Sequence, residues 1–346
     1  MTDLNLPLRS TPLAQIRRHK VWLAIAAILA SLAVLDPGQA RDSLVFTAEA
    51  LVGTAPFLAL SILIAAGAKA SGADGQIARA FHGAPLVAVA LAALAGAVSP
   101  FCSCGVIPLI AALLAMGVPL SAVMAFWLAS PLMDPSMFVL TLGVLGLPFA
   151  LAKTATAFAL GLLGGYVTHA LGAAGVLAAP LRPEVGDGGC GGAAARQVKP
   201  VAWTFWRDTD RRRVFATEAA KTTAFLLKWL TLAFLLESLM LAFVPAEAIT
   251  GLLGGDGFGP IALATLLGVP AYLNGYAALP LVGGLIDQGM QPGAGLAFLV
   301  AGGVTSLPAA IAVWALVRPR VFGLYIALSL VGAFSAGLAW QAIAGG

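Results

Sequence analysis

Charge is what this chain has least of. Only 19 basic and 15 acidic residues occur among 346, so 10% of positions are charged, against roughly 25% in an ordinary globular domain. The thirty residues from Leu86 to Ala115 carry none, and neither do the eighteen between Asp134 and Lys153. Apolar runs of about that length are read as bilayer-spanning. This scarcity excludes nucleic-acid binding and most soluble enzymology. The net charge of +4 requires no acidic partner, because bias in the loops accounts for it. Cysteine is nearly absent as well, and three residues cannot build a disulfide framework. With only three histidines beside them, a closed tetrahedral zinc site is not expected. No GxxxxGK[ST] phosphate loop occurs, which excludes nucleotide-driven chemistry of that type, and no cofactor is implied.

What is present is apolar: 60% of the residues. The expected fold is an all-α, polytopic integral membrane protein. Arg17, Arg18 and Lys20 precede the apolar run Val21–Leu35, and no small-residue cleavage site with a polar mature domain follows. We therefore read residues 1–20 as a cytoplasmic tail and 21–43 as an extra membrane helix with an external turn. Basic residues then orient the loops. Lys69, Arg79 and His82 mark a cytoplasmic loop near 70–83, and Arg318 and Arg320 mark another. The Gly/Arg-rich segment 171–213, containing Arg211, Arg212 and Arg213, is expected in the cytoplasm; the loop at 245–257, with Glu247 and Asp256, is expected outside.

The two halves resemble each other. A shift of 172 residues aligns Leu94–Ala129 with Leu266–Ala301, and ten of 36 positions are identical, among them Gly96/Gly268, Pro108/Pro280, Gly117/Gly289 and Phe126/Phe298. In so biased a composition about one match in ten arises by chance. A shift of 169 aligns Val45-Phe46-x-x-Glu49-Ala50 with Val214-Phe215-x-x-Glu218-Ala219. Residues 44–170 and 214–346 are thus expected to be two membrane repeats. The basic loop at 70–83 corresponds to the acidic loop at 245–257, and the basic turn at 318–320 to an uncharged turn near Gly146. Opposite polarity at matching places is the mark of inverted topology.

Each repeat is interrupted by proline at matching positions: Pro100–Pro108 with Pro270–Pro280, and Pro131–Pro135 with Gly302–Pro308. Proline removes a donor and clashes with the preceding turn, and unwound backbone at membrane depth is tolerated only where protein or a cavity surrounds it. Paired broken helices are a pointer to a central binding site in transporters. The first break reads SPFCSCGVIPL. In unwound chain, Cys102 and Cys104 can turn to a common centre, which helical spacing of two forbids, and a thiol pair suits thiophilic ions rather than Mg²⁺. Under the 172 shift they correspond to Asn274 and Tyr276, which with Tyr272 are candidates to face the thiols and receive the rest of a ligand.

Ionisable residues in membrane segments are functional candidates. Glu49, Asp134, Glu218, Glu237 and Asp287 are the carboxyls available for proton coupling; Lys153, Lys221 and Lys228 are the buried-segment bases. Cys190, in the glycine run, is a candidate accessory thiol. A Cu(I) exporter would use the same thiols, though it would normally show more methionine than Met116, Met124, Met133 and Met137. An intramembrane thiol oxidoreductase would use Cys102 and Cys104 as a redox pair but would leave the repeats unexplained.

The stretch SPFCSCGVIPLIAALLAMGVPLSAVMAFWLASPLMDP, together with NGYAALPLVGGLIDQGMQPGAGLAFLVAGGVTSLPA, resembles the predicted permeases of the organoarsenical efflux type (ArsP). The resemblance covers nearly the whole membrane portion. It implies a multi-pass bacterial inner-membrane exporter, not an enzyme, with its N-terminus in the cytoplasm and surrounded by lipid. The implied substrates are trivalent organoarsenicals such as methylarsenite and reduced aromatic arsenicals, with Cys102 and Cys104 as As(III) ligands. Proton antiport is the expected energy source, and homo-oligomerisation is open.

Overall fold

The computed structural model describes residues 12–72, 84–99, 101–175, 177, 180–182, 201–243, 257–271 and 275–344. Twelve α-helices occur among them: α1 (Pro12–Leu35), α2 (Pro37–Ser71), α3 (Pro85–Val98), α4 (Ile107–Ala115), α5 (Leu120–Ala129), α6 (Pro135–Ala173), α7 (Thr209–Phe243), α8 (Phe258–Ala271), α9 (Gly275–Asp287), α10 (Pro292–Thr305), α11 (Leu307–Leu316) and α12 (Pro319–Ala344). No strand occurs among the described residues beyond one bridge between Leu181 and Val317. Four stretches are long and apolar enough to cross a membrane: Pro135–Ala173, Thr209–Leu239, Pro292–Leu316 and Pro319–Ala344. Helix α2, bent by 46° between Pro56 and Leu58, makes a fifth. The chain is an all-α polytopic membrane protein, as its hydropathy predicts.

Local chemistry sets the helix ends, and it does so twice, 172 residues apart. Asp36 accepts from the Gln39 amide at 3.0 Å where α2 begins, and Asp208 accepts from the Asp210 amide at 2.9 Å where α7 begins. Short polar side chains at this position satisfy amides that the first helical turn leaves unpaired. Helices α4 and α9 both end in the same glycine turn. The Val118 amide donates to Leu113 at 3.0 Å and the Met290 amide to Leu285 at 2.9 Å. Gly117 and Gly289 stand between them at φ 86° and 102°, a left-handed conformation that glycine adopts without steric cost. Asp134 and Ser306 then occupy the N-caps of α6 and α11.

Helix starts follow the 172 shift at Pro37 and Thr209, Leu120 and Pro292, and Pro135 and Leu307, while α9 begins at Gly275, four residues ahead of the counterpart of Ile107. Helix α2 begins ahead of residue 44, the expected repeat boundary. Glu218 then answers to Phe46 rather than to Glu49, whose counterpart is Lys221. The local VFxxEA likeness loses to the capping aspartates.

Glycine lets the helices of each half approach closely. A methyl on Gly96 of α3 would lie 2.7 Å from the Phe126 carbonyl oxygen of α5; one on Gly268 of α8 would lie 2.6 Å from that of Phe298 on α10. The same contact occurs in both halves. Helix α10 is the centre of the molecule, with every residue from Gly293 to Thr305 buried. It packs on α8, α9, α6 and α12, and one methyl added at Gly337 of α12 would stand 2.7 Å from the Gly293 carbonyl oxygen.

The halves are joined by contacts between equivalents. Lys69, near the end of α2, pairs with Glu218, near the start of α7, at 2.8 Å. Arg211 donates to the carbonyls of Ala70 and Ser71 at 3.2 and 2.7 Å. Since α2 and α7 pack along one another, these contacts make them antiparallel. The basic segments also meet. The Arg182 amide donates to Leu316 at 3.1 Å and the Arg318 amide to Pro180 at 2.9 Å, while the Arg182 guanidinium lies 4.8 Å from the Trp314 ring. Segment 171–213 thus touches both the end of α2 and the turn at Arg318, the three stretches that basic residues assign to one side.

Candidate functional site

Helix α3 stops at Ser99, whose backbone is extended (φ −80°, ψ 136°) and whose hydroxyl donates to the Gly96 carbonyl at 2.9 Å. From Phe101 to Val106 the chain is not α-helical. It turns on itself instead: the Val106 amide donates to the Cys102 carbonyl at 3.1 Å and the Ile107 amide to that of Cys104 at 3.3 Å. The Gly105 amide points at the Cys102 sulfur, 3.2 Å away. Helix α4 resumes at Ile107 with Pro108 in its first turn, where a missing amide donor costs nothing. Both thiols are free, Cys102 half-buried and Cys104 buried. The break lies where the two prolines predict it.

The second half supplies the walls. Helices α10 and α11 separate at Ser306, whose extended backbone (φ −52°, ψ 152°) is the interruption expected within Gly302–Pro308. The Ser306 hydroxyl lies 3.2 Å from that of Ser103, between the two cysteines and 203 residues away in sequence. Tyr325 of α12, fully buried, hydrogen-bonds the Val304 carbonyl and stacks on Trp127 of α5, ring centroids 4.9 Å apart and planes 24° apart. The thiol of Cys104 is within electrostatic range of the Tyr325 hydroxyl and of the Glu237 carboxyl on α7. Glu237 is 2% exposed. The cysteine segment thus meets the N-terminus of α11 through Ser103 and Ser306, with the Tyr325 phenol and the Glu237 carboxyl at longer electrostatic range of Cys104. Soft sulfur ligands with oxygen groups around them can hold a thiophilic centre and orient its substituents.

The other carboxyl candidates separate by environment. Glu49 and Asp287 are exposed. Glu218 forms the ion pair with Lys69. Asp134, half-buried, accepts from the Ser136 and Met137 amides at 2.8 and 2.9 Å, at the break expected between Pro131 and Pro135. Its carboxyl is within electrostatic range of Lys153, which is 1% exposed. Lys221 is exposed, and Lys228 lies against the Phe225 and Trp229 rings at 5.9 and 5.6 Å. Tyr272, Asn274 and Cys190 lie outside the described residues; Tyr276 is placed only as the second residue of α9. Pro270 and Pro280 lie inside helices α8 and α9, so this break is narrower than its proline spacing suggests. No group of three or more His, Cys, Asp or Glu able to hold a metal ion occurs among the described residues.

Sequence reasoning missed Ser306, which touches the cysteine segment, and the buried Tyr325–Trp127 stack that joins the two halves. A signal for one was available: Tyr325 is the 172-shift counterpart of Lys153, a polar side chain deep in an apolar helix.

A family model described as a predicted permease (ArsP_1) matches residues 39–342. The UPF0718 protein YcgR of Bacillus subtilis (strain 168) is 35% identical over 85 residues, 25% of this chain and 29% of that protein. The similarity thus spans less than a third of that relative's length. No solved structure matches.

Proposed function

The chain belongs to the predicted permease family, and we propose that it exports trivalent organoarsenicals across the bacterial inner membrane with Cys102 and Cys104 as the arsenic ligands. The observation that carries this reading is the pair of free thiols in an unwound segment that meets the second half of the chain at Ser306. Trivalent methylarsenic has two exchangeable positions, so two thiols can bind it while its carbon substituent stays in place. Each bond forms as a thiol displaces a hydroxyl, and the thiol proton leaves with that hydroxyl as water. Inorganic arsenite has three such positions, and the site offers no third thiol among the described residues. Asn274, Tyr276 and Tyr272 are the proposed wall for the organic group.

Inverted repeats supply the route. Two equivalent helices that lie antiparallel, α2 and α7, support a pseudo-twofold relation in the membrane plane, with the broken segments near its centre. Loops 70–83 and 171–213, the turn at 318–320 and the N-terminus are assigned to the cytoplasm, the loop at 245–257 to the outside. The energy source proposed is proton antiport. Among its candidate carboxyls, Glu237 and Asp134 have the surroundings best suited to it, while the exposure of Glu49 and Asp287 and the Lys69 pairing of Glu218 weaken theirs.

Uptake into everted membrane vesicles tests the proposal. Methylarsenite should accumulate when a proton gradient is imposed, whereas arsenite and Cu(I) should not. Transport that persists after the gradient is collapsed rules out antiport, and preferential Cu(I) uptake replaces the organoarsenical with a soft cation.

A further inference from the structure

Helix α3 points the same way as α5. A methyl added at Gly165 of α6 would meet the side chains of both Val89 and Ala125. One added at Gly161 would stand 2.9 Å from the Ala93 methyl and 3.0 Å from that of Ala129. Val89 is therefore level with Ala125, and Ala93 with Ala129, so α3 and α5 run together while α6 runs back past them. Helix α4 joins the two. It has to return the chain to the side where α3 began, because α5 starts just beyond the glycine turn at Gly117. The arms suit that path. At 14 and 9 residues, α3 and α4 are about 21 and 14 Å long, short of the roughly 30 Å hydrocarbon core.

The second half repeats the path. A methyl at Gly337 of α12 would lie 2.8 Å from both the Ile261 and the Ala297 side chains, and one at Gly268 would lie 3.3 Å from the Ala301 methyl. Ile261 is thus level with Ala297 and Gly268 with Ala301. Helices α8 and α10 are parallel too, and α9 returns between them to the turn at Gly289.

We propose that Pro85–Ala115 is a re-entrant hairpin that enters and leaves on the cytoplasmic side, with Cys102 and Cys104 at its tip, and that Phe258–Asp287 enters from outside. Each repeat then crosses the membrane three times. The first does so with α2, with α5 and α6 as far as the non-helical Gly146, and with the rest of α6; the second with α7, with α10 and α11, and with α12. An odd number is what inverted repeats need. It puts loops 70–83 and 171–213 and the turn at 318–320 on one side, where their basic residues belong. With α1 ahead of them there are seven crossings, and the C-terminus lies outside. Unwound chain at the tip needs protein around it, and Ser306 meets Ser103 there. The inference rests on the export reading and adds the route of access: the thiols are reached from the face on which export loads.

Single cysteines at Ala115 and Gln288, exposed residues at the ends of α4 and α9, test the hairpins. An impermeant maleimide should label Ala115→Cys in everted vesicles and not in intact cells, and Gln288→Cys the other way round, each compared with the unsubstituted chain. Labelling of Ala115→Cys in intact cells makes Pro85–Ala115 a crossing and overturns the proposal. A cysteine that reacts only after detergent solubilisation does the same. Alkaline phosphatase fused after Gly346 should be active; a fluorescent green protein at that position, with the phosphatase silent, means an even number of crossings and overturns it too. In a Cys190→Ser chain, an impermeant methanethiosulfonate should modify Cys102 faster in everted vesicles than in intact cells, and faster modification in intact cells sinks the access route. Methylarsenite added first should protect the thiols. Correct sidedness without protection sinks the export reading and leaves the hairpins; protection with the wrong sidedness sinks the hairpins alone.

Discussion

Replacing Gly268 by alanine should force a pair of central helices apart. The added methyl would lie 2.6 Å from the Phe298 carbonyl oxygen, 3.2 Å from its Cα and 3.3 Å from the Ala301 methyl. Carbon–oxygen contacts between helices close to about 3.3 Å, so α8 and α10 must separate by about 0.7 Å. A gap of that order forfeits about a quarter to a half of the dispersion well at each affected contact. Two of the three neighbours are backbone and cannot swing aside, which places the cost at about 1–3 kcal/mol. Gly96→Ala meets the same geometry in the other half, 2.7 Å from the Phe126 oxygen and 3.0 Å from the Ala129 methyl, and should cost about the same. The two sites share no helix, so the double variant should lose about the sum, to within roughly 0.5 kcal/mol. Gly53, with nothing within 4 Å of the added methyl, is the control. Unfolding of purified protein in mixed micelles, followed by tryptophan fluorescence, gives the values for each variant. If Gly96→Ala and Gly268→Ala unfold with the wild type while Gly53→Ala falls, the close helix approach is not what holds each half together.

Three further outcomes are expected. Tyr325→Phe keeps the ring on Trp127 but leaves the Val304 carbonyl without its donor, and should cost about 1–3 kcal/mol in the same unfolding assay; an unchanged midpoint would mean that water replaces the phenol. Cys102→Ser and Cys104→Ser keep size but harden the ligand, so methylarsenite resistance in growing cells should fall sharply in each, with Cys190→Ser milder; full resistance at normal expression in both serine variants makes the thiols packing residues. A cysteine placed at Asp187 should resist an impermeant reagent in intact cells and one at Leu252 should react; labelling at Asp187 would overturn the inverted-repeat argument.

The sequence revealed those features of this architecture that rest on local chemistry. Long uncharged runs gave the membrane helices, because burial of charge in lipid is costly at every position. Proline spacing gave the unwound segment at Cys102–Cys104, because proline acts within one turn. The glycine turns at Gly117 and Gly289 were visible as identities in the 172 alignment, though their conformational reason was not. The capping pair Asp36 and Asp208 also follows that shift, whereas the shorter VFxxEA likeness points to a boundary at residue 44. What no local pattern encodes is which buried segment meets which. Ser103 touches Ser306 across 203 residues, and Tyr325 stacks on Trp127 from the other half. These contacts depend on how α10 threads the centre, and that depends on glycines that look unremarkable in a chain with 40 of them. The same reasoning explains the carboxylates. Five were equivalent by composition, and they separate only when packing buries Glu237, pairs Glu218 with Lys69 and leaves Glu49 exposed. A repeat shift read residue by residue recovers some of this, because a side chain at a functional depth in one half predicts a functional depth in the other. Lys153 and Tyr325 are the pair that shows it: different chemistry at one equivalent position, both fully buried in apolar helices.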